Sequence, residues 1–204
     1  MMKLWGRLSS INVRKVVLAA QLLELPLQRV DAGGPFGVVD TPEYLARNPN
    51  AMVPLLEHDG FSLWESNVIV RYLCATAGRL YPQSLRERFD AERWMDWQQA
   101  TLNPAGRGAF LQLVRVPAAD REAAAIAASV AATEPLLALL DAHLARQPFL
   151  AGDTLGMADI PVACEMHRWW GLPLEAPPHP HLRRWYDGIR ALPAARGVLD
   201  LPLS

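Results

Sequence analysis

The sequence predicts an α/β half of order β-α-β-α-β-β-α followed by an all-α half. Short apolar runs alternate with helical periodicity as far as Tyr81-Pro82. Beyond that point only long helical patterns recur. Between the two, Gly78 to Ser84 reads as a linker, so the expected domains are 1–80 and 85–204.

Taken in order, Lys3-Leu4-Trp5 is a short apolar strand and Gly6-Arg7-Leu8 the loop after it. Val13, Val16, Val17, Ala20 and Leu23 recur at helical spacing until Leu25-Pro26, where proline stops the helix. Leu27-Gln28-Arg29-Val30 is a second strand, parallel to the first if the helix is a crossover. A Gly- and Pro-rich loop then leads to Thr41-Pro42-Glu43, which opens a short helix. Val53 to Glu57 and Phe61 to Trp64, joined at His58-Asp59-Gly60, read as a hairpin, since Asp-Gly favours a tight turn. Glu65-Ser66-Asn67 begins a helix carrying Val68, Ile69, Tyr72 and Leu73. In the second half, helices are expected over about 85–116 and 118–147, from near Met157, and over 181–192. Pro104 and Pro135 should kink or divide the first two of these.

A chain of 204 residues is long enough to bury a real core, and 51% hydrophobic with 20% charged residues is ordinary for a globular protein. The formal net charge of −1 gives no global field for nucleic acid or an anionic membrane. The five histidines have no metal-ligand spacing with either cysteine, so no metal is expected. Cys74 and Cys164 sit inside apolar helical patterns and read as buried free thiols. Met1 to Ser10 lacks the apolar stretch of a signal peptide. Glu134, Pro135 and Asp141 interrupt the candidate span 123–145 short of the roughly 20 apolar residues a membrane requires. The expectation is a cytoplasmic chain with no membrane or nucleic-acid partner.

Ser9, Ser10 and Asn12 all stand where a helix would be capped, and on residue type alone they compete for that role. Glu65-Ser66 is likewise an ordinary helix start, and Pro54 is by default preceded by a trans bond.

The segments GRLSSINVRKV from Gly6, NPNAMVPLLE from Asn48 and LWESNVIVRYL from Leu63, followed by an all-helical half, resemble bacterial glutathione transferases of the serine type (theta- or beta-like). The resemblance implies a thioredoxin-like domain that holds glutathione, a helical domain that supplies most of the second-substrate pocket, and a homodimer. It reverses the expectation at Met52-Val53-Pro54: a cis bond before Pro54 would leave the Val53 N–H and C=O unpaired in the sheet, free to pair with the cysteinyl backbone of glutathione. It turns the Glu65-Ser66 helix start into a site for the γ-glutamyl carboxylate, with Ser66 donating and Glu65 facing the ammonium. Ser10, four residues ahead of Arg14, is implied to donate to the glutathione sulfur and favour the thiolate. Asn12 shares that contact and Ser9 ranks third. Arg14 and Lys15 read equally as solvated charges or as a grip on the glycyl carboxylate.

No cysteine precedes Cys74, which removes the disulfide-exchanging branch of the family; Trp5, the one aromatic near the first loop, gives no support to the tyrosine branch. Leu8, Trp97, Arg107 and Phe110 are the candidates for the second-substrate pocket, with core packing an equal account of Trp97 and Phe110. Asp159 resembles the family's capping aspartate, with Gly156 standing where a Ser or Thr is usual, and is expected to be structural. The implied activity is conjugation of glutathione to small apolar electrophiles. Glutathione-dependent dehalogenation, isomerisation or ring cleavage is the alternative within enzymes, and a non-catalytic binding module the alternative outside them.

Overall fold

The computed structural model describes residues 1–175 and 177–203. The chain divides into two compact units, Met1–Tyr81 and Pro82–Ser204.

The first unit is a four-stranded mixed sheet with three α-helices and a short 3-10 helix, Gly34–Phe36. Its strands are β1 (Met2–Trp5), β2 (Leu27–Val30), β3 (Leu55–His58) and β4 (Phe61–Trp64), in spatial order β2-β1-β3-β4. The helix α1 (Ile11–Leu22) is the crossover that makes β1 and β2 parallel, while β3 and β4 run antiparallel. Asp59 and Gly60 form the two-residue turn between β3 and β4 with φ of 49° and 83°. Two successive positive φ values match the right-handed twist of a hairpin, and the glycine adopts its value without strain. Thr41 caps α2 (Pro42–Leu45) by accepting from the Tyr44 N–H. The last helix, α3 (Ser66–Ala77), packs on α1 and ends at Gly78 in the left-handed conformation. Leu4, Val13, Val16, Leu18, Leu55, Leu56, Ile69 and Leu73 form the fully buried core between sheet and helices.

The second unit is helical: α4 (Leu85–Trp97), α5 (Asn103–Phe110), α6 (Ala123–Leu144), α7 (Asp159–Trp170) and α8 (Pro180–Arg190). A π-helical segment, Gln98–Leu102, carries α4 directly into α5, and a second, Leu111–Arg115, follows α5. Pro104 lies at the start of α5 within this continuous helical run, and the π-helical segment immediately before it is where the ordinary hydrogen-bond ladder gives way.

Pro135 does not divide α6, which runs unbroken for 22 residues. One lost amide bond is outweighed by the buried face Ser129, Thr133, Leu137, Leu140 and Leu144, packed on α5 and α8. This also corrects the expected interruption of an apolar span there, since α6 is long and apolar enough to cross a membrane by length and composition. Its observed place is that of a packing helix within its own unit.

Cys74 and Cys164 are both buried and neither is in a disulfide. Burial pushes the Cys74 thiol up to about 12.

Candidate active site

The sheet register locates the site. One row across the sheet is Val30, Trp5, Leu55 and Trp64, each paired with its neighbour. The segments just outside that row are 31–34, Gly6–Ser10, Val53-Pro54 and Glu65-Ser66, so four chain segments leave the sheet along the same edge. Gly6 shows how closely they approach. A Cβ there would lie 2.4 Å from Val13 Cγ2 and 3.3 Å from Val53 Cβ, so only glycine fits.

The loop from Gly6 to Ser10 is held at nearly every residue. The Gly6 N–H donates to the Val30 carbonyl (2.8 Å) and the Arg7 N–H to that of Ala32 (3.1 Å). Arg29 Nη1 donates to the Gly6 carbonyl (2.9 Å) and Arg14 Nε to the Leu8 carbonyl (3.0 Å). Arg14 and Lys15 are only 3% and 0% exposed, which corrects their reading as solvated charges. Arg14 instead fixes the backbone beside the two serines. Sequence pattern missed this because a charged pair on the first turn of a helix ordinarily faces water.

Ser10 is the N-cap residue of α1, but its hydroxyl makes no capping bond. Its carbonyl accepts from the Val13 and Arg14 N–H groups (3.1 and 3.0 Å). Among the described residues the Ser10 Oγ has no partner, so a preorganised loop presents a free hydroxyl beside the N-terminal end of a twelve-residue helix. Asn12 lies two residues on, and its Oδ1 accepts the Ser66 hydroxyl at 3.2 Å. That bond draws the start of α1 against the start of α3.

Glu65 adopts φ 70° and ψ 109°, a costly conformation for a residue with a Cβ. The strain turns the chain sharply from β4 into α3 and places buried Ser66 (2% exposed) on the first turn. The first N–H groups of α3 lack intrahelical acceptors, so an anion is favoured there.

The Val53-Pro54 bond is cis, and the Val53 N–H and C=O have no hydrogen-bond partner among the described residues. The preceding carbonyl, that of Met52, accepts from Tyr44 Oη (2.7 Å) and Asn48 Nδ2 (2.8 Å). Burial pushes the Tyr44 phenol up to about 12, which keeps it a donor at any working pH. Tyr44 and Asn48 are thus positioning residues for the Met52-Val53-Pro54 loop, and no spacing in the sequence announces them.

In the helical unit, Trp97 closes α4 and meets Trp94 edge to face at 5.4 Å. Arg107 is exposed on α5. The Phe110 ring carries the Arg115 and Arg168 guanidinium groups at 5.7 and 5.3 Å. Arg168 forms a buried ion pair with Glu165 and donates to Asn103 Oδ1 (2.8 Å), while Gln98 Nε2 donates to Glu165 Oε2 (2.8 Å). This network ties α7 to the π segment and to α5. A cavity of about 530 Å³ elsewhere in the unit is lined by Leu144, Phe149, Leu155, Trp185, Ile189 and Leu192 among others, and none of Trp97, Arg107 and Phe110 lines it.

Asp159 is fully buried, and its carboxylate accepts from the Leu150 N–H (3.1 Å), the Gly156 N–H (2.9 Å) and Trp185 Nε1 (2.8 Å). Its role is structural. Gly156 supplies only backbone to this cap, and Trp185 adds a donor that sequence spacing does not foretell. Burial outweighs these bonds and raises the carboxyl to about 6.

A free hydroxyl at a helix start, a residue with unpaired backbone groups and an anion-favouring helix end lie along one edge of the sheet of a thioredoxin-like unit. The chain belongs to the glutathione S-transferase family: residues 1–75 match the glutathione S-transferase N-terminal domain and residues 104–193 the C-terminal domain. Glutathione S-transferase GstB of Escherichia coli K12 is 45% identical over 208 residues, covering all of both chains. The theta class glutathione S-transferase of Xanthomonas axonopodis pv. citri, solved with glutathione bound, superposes with a TM-score of 0.96 at 43% identity, covering 100% of this chain and 99% of that one. The disulfide-bond oxidoreductase YfcG of Escherichia coli K12 is 29% identical, covering 92% of this chain and 90% of its own length.

Proposed function

We propose that this chain is a glutathione transferase that ionises the glutathione thiol at Ser10 and adds it to small apolar electrophiles. The observation that carries the proposal is the Ser10 hydroxyl, which has the N-cap position of α1 without capping it. A thiol with a solution pKa near 8.5 is mostly protonated at neutral pH. A fixed neutral donor and the positive end of a helix both favour its anion. In this scheme the proton leaves to solvent, the sulfur lone pair forms a C–S bond at the electrophilic carbon, and the leaving group, chloride for a chlorodinitrobenzene, departs with the pair of the bond that breaks. Because the loop is already ordered, part of the gain comes from position.

Val53 takes the cysteinyl backbone of glutathione, with Met52 and Pro54 shaping the loop. The γ-glutamyl carboxylate takes the start of α3 at Ser66, with Glu65 near the ammonium. Asn12 assists Ser10. Leu8, Trp97, Arg107 and Phe110 are assigned contacts with the electrophile. The enzyme works in the cytoplasm as a homodimer and uses no metal. A protein thiol is a poor alternative nucleophile, since Cys74, the one cysteine of the first unit, is buried with its thiol pushed up to about 12.

The test is conjugation of glutathione to a chlorodinitrobenzene-type electrophile by wild type and Ser10→Ala. Turnover that depends on Ser10 supports the proposal. Retention on immobilised glutathione, with no turnover by wild type on a panel of electrophiles, would favour the binding module instead.

A further inference from the structure

The Asn12–Ser66 hydrogen bond joins the two ends of the proposed site, the sulfur end at α1 and the carboxylate end at α3. A serine hydroxyl has a single proton to donate. In this structure Ser66 gives it to Asn12 Oδ1 at 3.2 Å, so the Ser66 oxygen turns lone pairs, not a proton, to anything else that arrives. An incoming carboxylate is an acceptor only and competes with Asn12 for that proton. The charged acceptor wins, because hydrogen bonds to ionised groups are about twice as strong as neutral ones. The Asn12 carboxamide is then released. Its Nδ2 has no partner among the described residues, and it stands two positions beyond the Ser10 hydroxyl on the same helix start.

The helices that carry the pair are rigid. Val13, Val16, Ile69, Val70 and Leu73 are fully buried, and α1 packs directly on α3. The strained Glu65 turn further fixes where Ser66 begins its helix. The exchange therefore needs only rotation of one hydroxyl and one carboxamide, which is rapid and inexpensive.

The geometry points to a relay, resting on the glutathione-binding role proposed above. The Ser66 hydroxyl passes from Asn12 to the γ-glutamyl carboxylate, and Asn12, once freed, donates toward the sulfur. Asn12 is thus a positioning residue for Ser66 in the empty site and a donor only in the filled one. The anion end reports its occupancy to the reacting end.

Two measurements on wild type, Ser66→Ala, Asn12→Ala and the double variant test this, after equal melting temperatures establish that each is folded. The first is affinity for a sulfur-free analogue, glutathione with 2-aminobutyrate in place of cysteine. Ser66→Ala should bind it about 10- to 100-fold more weakly, the loss expected for a hydrogen bond to a charged group. Asn12→Ala should bind it at least as tightly as wild type, because nothing competes for the hydroxyl.

The second is ultraviolet titration of the thiol of glutathione itself, at saturation. Asn12→Ala should raise the bound thiol pKa by roughly one unit. The double variant should match Asn12→Ala, and Ser66→Ala alone should keep the wild-type thiol pKa at saturation, because its Asn12 is free from the outset and donates as in the filled wild-type site. A Ser66→Ala complex whose thiol pKa rises as far as in Asn12→Ala, showing that Asn12 serves the sulfur only while Ser66 holds it, overturns the relay while leaving the transferase proposal intact. So does an Asn12→Ala variant that binds the analogue more weakly than wild type, the mark of a purely structural bond. A wild-type complex whose thiol ionises no more readily than free glutathione overturns both.

Discussion

Replacing Ser10 by alanine separates a capping role from a chemical one, because the structure assigns the two roles opposite costs. An N-cap side chain that accepts from the first turn is worth about 1 kcal/mol. The Ser10 hydroxyl makes no such bond, so its removal should change folding stability by less than about 0.5 kcal/mol. For a chain of 204 residues, 1 kcal/mol moves the melting temperature by about 2–4 °C, so the expected shift is within about 2 °C. Thr41→Ala and Ser84→Ala are the internal controls. Their hydroxyls accept from the Tyr44 and Glu87 N–H groups at 3.3 and 3.2 Å, and each should lose the full capping contribution. The chemical cost of Ser10→Ala is that of a hydrogen bond to a charged group, about 1.5–3 kcal/mol. That is roughly a 10- to 150-fold fall in kcat/KM for conjugation, with the rising limb of the pH profile displaced upward by about one to two units. Differential scanning fluorimetry and a stopped-flow conjugation assay read the two quantities on the same preparation. A Ser10→Ala protein that melts like the two controls and turns over like wild type would show that the hydroxyl caps after all.

Three further outcomes follow from the packing. The buried Asp159 carboxyl is raised from 3.8 to about 6, so folding favours its protonated form. Its contribution is complete below about pH 3.8 and is lost as pH rises through about 6, a decline of roughly 3 kcal/mol. The stability difference between wild type and Asp159→Asn, from urea unfolding at each pH, should fall by that amount between pH 3.5 and 6.5; a flat difference refutes the assignment. Tyr44→Phe removes one of two donors to the Met52 carbonyl and should raise KM for glutathione about three- to tenfold with kcat nearly unchanged, whereas a pure kcat loss would count against a positioning role. Native protein at pH 8 should leave Cys74 unmodified by iodoacetamide until it is unfolded, and rapid native labelling would contradict its burial.

Much of the fold was legible because its signals are local. Asp59-Gly60 marks the hairpin turn and Leu25-Pro26 the end of α1; apolar spacing marks the helices. Given the α1 crossover, the parallel pairing of β1 with β2 follows. What stayed hidden depends on tertiary context. The π segments were not foreseen; the first begins at Gln98, whose amide donates to the buried Glu165 of α7, a tertiary contact with no local signal. Arg14 and Lys15 are charged residues that the fold buries, so side-chain type predicted the wrong environment. The grip of Tyr44 and Asn48 on the Met52 carbonyl joins an aromatic residue and an amide to backbone, a pairing that leaves no pattern in the chain. Ser10 stands where the sequence put it, but only the geometry shows that its hydroxyl is spare. Pro135 was overread as a breaker because its local cost is visible in sequence, while the buried face that outweighs it is not.

A crystal structure of the complex with glutathione is the most direct measurement of whether this hydroxyl serves the sulfur. The expected result is a sulfur within about 3.5 Å of Ser10 Oγ, with the cysteinyl backbone paired to Val53 and the γ-glutamyl carboxylate at the first turn of α3. A tripeptide whose sulfur faces another group, with Ser10 left in contact with solvent alone, would contradict the account.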